Sequence, residues 1–316
     1  MLRYKLFLLT LFLTTVSGLR LTTKEYVALQ VRGGSTPFGS RTPAKLRKRR
    51  ESVADEYIQS PERQEGNQAV ATKDVIDAFL TRDSRNSFIA RVYAILSVQL
   101  VIAVLSCLLF GLHPVLRNLP YMATSKALAS VPLIAMAAST ISFYRVLFSP
   151  NARRKSPNKW WWLSIFTVGE AVAVGFMSSF FKFESVIMSM GATALATLSV
   201  SMYTVLQKNP NRDLSQLGKT LSTWSIILMV YMLIGGLQQV GVLPSGFLPH
   251  SAALQSFFAA IFFSAFIAYD TSLIVGGKHS KYRLHEKDYV LGSMILYNDI
   301  VGLFLQLLQI LGEEKR

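Results

Sequence analysis

Four ionisable residues stand inside long apolar runs of this chain: Arg145, Glu170, Asp270 and Asp299. A charge placed in a bilayer costs about 2.5–3.5 kcal/mol on insertion scales, so each one needs a partner or a task. Counting about 1.5 Å of rise per residue gives their depths. Asp270 lies roughly 9 Å from the inner end of its run, Asp299 and Glu170 roughly 15 Å, and Arg145 roughly 5 Å. All four therefore fall in the same half of the membrane although they come from four separate runs. Two carboxylates close together in a low dielectric cannot both ionise easily, and they share a proton. Such a pair can accept hydrogen bonds from an arginine, touch a hard cation through oxygen, or relay protons. Calcium fits the ligand type, as do sodium and the proton. The plain alternative is a buried structural network, in which Arg145 caps a carboxylate or snorkels to the interface and Glu170 holds a neighbouring helix.

The elements that must carry these residues are apolar runs near 92–112, 127–148, 160–181, 184–206, 220–243, 252–276 and 289–311. Each approaches or exceeds the roughly 20 residues that cross the hydrocarbon core. The reading is an all-α integral membrane protein with seven transmembrane helices. Three tryptophans at 160–162 suit an interfacial belt, and the small residues of GATALATLS suit a tightly packed helix. Charged residues make up 16% of the chain, against about a quarter in soluble domains. The net charge of +15 does not point to nucleic acid, because no soluble basic module is left to bind it. Arginine and lysine instead concentrate in alternate loops, at 153–159, 208–212 and 278–287, which places residue 91 inside and the C-terminus outside. A single cysteine, Cys107, excludes a disulfide framework and a thiolate metal site.

Ahead of the membrane domain (88–312), residues 1–18 have a basic start, an apolar stretch and small residues, the pattern of a signal segment. Residues 19–50 are basic, poor in acid and rich in hydroxyls. Together they read either as a two-part presequence for a plastid or as a signal followed by a disordered basic arm of an endomembrane protein. Residues 51–87 read as a polar linker.

The stretch AYDTSLIVGGKHSKYRLHEKDYVLGSMILYNDIVGLFLQLLQILG (268–312) resembles the signature region of the transmembrane Bax-inhibitor motif family, most of all its lifeguard branch. FIARVYAILSVQL (88–100) resembles that family's first span, and LSIFTVGEAVAVGFMSSFF (163–181), with Glu170, its third. The resemblance implies a seven-helix bundle with the last helix central. It implies a calcium leak gated by pH, with calcium as the permeating ion and no cofactor, and a link to organelle calcium and cell death. It carries the acidic sensor pair onto Asp270 and Asp299, where calcium would make transient contact, and offers Arg145 as the latch on the second helix. Glu170 is the candidate pore-lining acid. Asn298 departs from the family, which usually has an apolar residue there.

Two other readings compete. A non-conducting scaffold for membrane-protein partners would need the buried acids for folding alone. An aspartyl intramembrane protease would also use two aspartates, but those enzymes carry Gly-x-Gly-Asp where this chain has Leu-Tyr-Asn-Asp at 296–299, and no Pro-Ala-Leu follows. The expectation is therefore not an enzyme.

Overall fold

The computed structural model describes residues 30–32, 68–118, 126–207, 252–275 and 282–315, with isolated positions between 214 and 238. The signal-like segment, most of residues 19–67, the run at 220–243 and the loop at 276–281 lie outside the described residues. In chain order the elements are β1 (Gln30–Arg32), α1 (Gln68–Leu112), α2 (Pro114–Asn118), α3 (Lys126–Phe148), α4 (Pro150–Arg154), α5 (Asn158–Ser178), α6 (Phe183–Leu206), α7 (Ala252–Val275), β2 (Tyr282–Leu284) and α8 (Tyr289–Leu311). A 3-10 turn at Glu286–Asp288 leads into α8. Among the described residues the fold is helical apart from the three-residue antiparallel pairing of β1 with β2, in which Val31 pairs with Arg283, and an isolated bridge between Phe181 and Glu314.

Among the described residues, five helices are long and apolar enough to cross a membrane: 83–112 of α1, α5, α6, 254–275 of α7, and α8 with its leading turn. The apolar part of α3, Pro132–Phe148, is shorter. This is the pattern of a multi-pass membrane protein. Large apolar side chains such as Val98, Leu105, Leu195 and Leu198 stand 58–69% exposed, as a lipid-facing belt requires. One boundary differs from the sequence reading. Residues 68–87, taken as linker, are helical backbone continuous with the first span. No glycine or proline interrupts the chain between Gln68 and Gly111, so nothing breaks the helix until Pro114 follows its end.

Helix α8 is the most buried of the five candidate spans and packs against α1, α5, α6 and α7. Its approach to α7 depends on Gly302, where an added Cβ would come within 2.4 Å of the Phe263 ring. The run GEAVAVG of α5 works in the same way. At Gly169 a Cβ would meet the Ala135 carbonyl oxygen at 2.5 Å and the Ser139 Cβ at 2.9 Å, so α3 can come this close only to glycine. Between helices in lipid, where apolar burial gives little drive, such close backbone approach and its dispersion contacts hold the pairs together.

Both ends of α8 are fastened. At one end Asp288 meets two arginines of α4. At the other, the tail after Leu311 folds against the α5–α6 turn. The Lys182 N–H donates to the Glu313 carbonyl at 2.9 Å, and the Lys315 N–H donates to the Phe180 carbonyl at 2.9 Å. The Lys315 ammonium caps the Ser179 carbonyl at 2.8 Å, and an ion pair joins Lys182 to Glu313.

Candidate functional site

The three carboxylates are buried groups of the bundle. Asp270 on α7 is 2% exposed, Asp299 on α8 is 1% and Glu170 on α5 is 3%. Each sits on an inward face whose neighbours are also buried: Tyr269 and Thr271 beside Asp270, and Tyr297 and Asn298 beside Asp299. Helices α7 and α8 pack on one another, so the two aspartates belong to one helix pair. Asn298 is buried with them, although nothing in the structure explains why an amide rather than an apolar side chain occupies that position.

Glu170 has a defined setting. The Ser139 hydroxyl of α3 lies 2.7 Å from its Oε1 and 2.9 Å from the Met136 carbonyl, so one proton faces two acceptors. One turn back, the Thr167 hydroxyl donates to the Leu163 carbonyl at 2.8 Å and accepts from the Gln99 amide of α1 at 3.1 Å. The Tyr297 ring packs edge-on against Phe166, with centroids 5.7 Å apart.

Arg145 is placed elsewhere than expected. It is exposed, with its guanidinium 5.7 Å over the Trp162 ring, and it does not join the buried carboxyl groups. The reason lies in helix geometry. Met136, Ser139, Phe143 and Val146 form the buried stripe of α3, and residue 145 falls about 200° around the helix from Phe143.

A buried guanidinium is found instead where α4 meets the start of α8. Asp288, fully buried, accepts from Arg153 Nε at 3.0 Å, Arg154 Nε at 2.6 Å and Arg154 Nη2 at 2.8 Å. Arg153, also buried, donates further to the Leu147 carbonyl at 2.9 Å. Burial lowers the Arg153 pKa against the opposing pull of Asp288, while the bond to Asp288 raises that of Arg154. A guanidinium remains charged through either change. Nearby, Arg85 is buried and spans three carbonyls, Leu284 at 2.7 Å, Leu273 at 2.5 Å and Val275 at 3.4 Å, thereby capping the C-terminus of α7. Sequence reasoning missed Asp288 because HEKDY reads as a solvated loop. It missed Ser139, Gln99 and Thr167 because a search for charges passes over neutral polar groups. A glutamine within SVQLV was the available signal.

His285 lies at the same end of the bundle, ahead of Asp288. Its Nδ1 accepts from the Lys287 N–H at 3.1 Å, which requires that nitrogen unprotonated. Burial, then the charge of Arg154, depress its pKa below the ordinary 6.5. The unfolded chain thus binds the proton first, and the stabilising contribution is whole above pH 6.5 and is lost as pH falls through the lower folded value. Thermal unfolding in nanodiscs is expected to show a loss of stability on acidification below this point, and His285→Gln is expected to flatten that part of the profile.

Comparison with known proteins settles the lineage. The family model described as "Inhibitor of apoptosis-promoting Bax1" matches residues 85–316. The chain belongs to the Bax-inhibitor family. Protein lifeguard 3 of Homo sapiens is 27% identical over 232 residues, covering 73% of this chain and 70% of that protein. The BI1-like protein of Arabidopsis thaliana is 30% identical over 229 residues, 72% and 81% of the two chains. The Golgi anti-apoptotic protein of Vaccinia virus (strain Lister) is 28% identical over 227 residues, 72% and 85%. The Bax-inhibitor match begins at Arg85, the residue that caps α7, and includes all the buried groups described above. Among the described residues no cluster of three or more histidine, cysteine or acidic side chains could hold a metal.

Proposed function

We propose that this protein is a pH-sensitive calcium-leak channel of an endomembrane, a seven-helix bundle with α8 at its centre, that links organelle calcium to the control of cell death. The observation that carries this reading is the burial of Asp270 and Asp299 on two packed helices. Two acids in such a setting exchange protons as a pair, and a change in their proton count changes the charge a permeating cation meets. Since Arg145 stands outside this group, proton exchange on the pair acts on α7 and α8 directly and needs no arginine latch. The Golgi anti-apoptotic name of a viral relative favours the endomembrane and the cell-death link.

The test is calcium flux across liposomes containing the purified protein, read as a function of pH. Flux above protein-free liposomes is expected, and Asp270→Asn with Asp299→Asn is expected to remove its pH dependence. Absence of flux in the wild type would replace the channel by a non-conducting scaffold. An unchanged pH profile in the double variant would take the sensor role from the aspartates.

A further inference from the structure

Three buried oxygens around one turn of α5 have no hydrogen-bond partner: Glu170 Oε2, Gln99 Oε1 and the Tyr297 hydroxyl. The large majority of buried side-chain polar atoms are hydrogen-bonded in folded proteins, so three orphans gathered around one helical turn ask for a common cause. Their neighbourhood follows from the contacts. Gln99 bonds Thr167, which stands one turn from Glu170 on the same face, about 5–6 Å between Cβ atoms. Tyr297 reaches the same turn from α8 through Phe166, which stands one turn before Glu170 on the same face of α5.

The chemistry of the three atoms is fixed by their other bonds. Thr167 gives its only proton to the Leu163 carbonyl, so Gln99 must donate to it through Nε2, leaving Oε1 as an acceptor. Ser139 occupies Glu170 Oε1, leaving Oε2. The tyrosine hydroxyl supplies a donor. Two acceptors and one donor are the complement of a single water molecule, which donates twice and accepts once, and buried waters typically make about three such bonds.

We propose that Gln99, Glu170 and Tyr297 hold one ordered water at the meeting of α1, α3, α5 and α8. Because water can reverse its donors, Glu170 stays hydrogen-bonded there whether or not it carries a proton. The site is therefore a second intramembrane station for proton chemistry, distinct from Asp270 and Asp299. It stands whether or not the protein conducts calcium.

Radiolytic hydroxyl-radical footprinting of the protein in nanodiscs tests it, since radicals generated from a bound water label the adjacent side chain. Tyr297 is fully buried, as are Phe263, which meets Gly302 of α8, and Phe266 on the same helix as Phe263. After scaling for intrinsic ring reactivity, Tyr297 is expected to label several-fold above both phenylalanines in the wild type. Gln99→Leu is expected to bring it down to their level, and Asp270→Asn with Asp299→Asn to leave it unchanged. Labelling of wild-type Tyr297 no stronger than that of the phenylalanines overturns the site, a result that does not depend on how any variant folds. Loss of labelling in the aspartate variants also overturns it, by assigning the water to their cavity.

Discussion

Asp288→Ala is expected to be the most damaging single replacement in the described structure, with a loss of about 3–5 kcal/mol, the range for breaking a buried ion pair from one side. The carboxylate is fully buried and holds Arg153, whose side chain is 7% exposed, together with Arg154, at 36%. Removing it leaves two guanidinium groups facing each other, one of them unable to reach water. Replacing Arg154 instead should cost far less, because Arg153 still pairs the acid and the lost partner was half in solvent. Thermal unfolding of both variants in the same detergent checks the asymmetry. Equal losses would mean that burial of Arg153 contributes nothing.

Arg85→Ala is expected to cost about 3 kcal/mol, because hydrogen bonds to a charged donor contribute about 1.5–3 kcal/mol and each stranded carbonyl adds its own desolvation. The side chain collects the carbonyls of Leu273, Val275 and Leu284, two of which lie in the last turn of α7, where no intrahelical donor is available. The damage should be local. Hydrogen exchange is expected to rise in the last turn of α7 while the middle of α8 stays protected. Lysine at this position should recover only part of the loss, since one ammonium cannot span three carbonyls as the guanidinium fork does.

How much of this could be read in advance depended on the kind of signal. Buried acids were legible, because a carboxylate in an apolar run stands out, and Asp270, Asp299 and Glu170 are buried side chains. Which way a residue faces around its helix was not, and Arg145 stands on an exposed face of α3. The stripe of Met136, Ser139, Phe143 and Val146 could have been drawn on α3, but apolar residues cover the other faces of that helix too, so in lipid the contrast that marks an inward face is weak. The helical start at Gln68 was hidden by polarity, since composition at 68–87 suggested solvent while the absence of helix breakers decided the backbone. Asp288 was hidden by its neighbours. Nothing local distinguishes it from Glu286, and only the fold brings α4 to it.

The fastening of α8 at both ends has a mechanical consequence. With Asp288 clamped to α4 and the segment Gly312–Lys315 laid against the α5–α6 turn, this helix can neither slide along its axis nor turn about it without breaking contacts at two ends. It is the stator of the bundle. In the channel proposed above, a path beside Asp299 therefore opens by movement of the helices around α8 rather than of α8 itself.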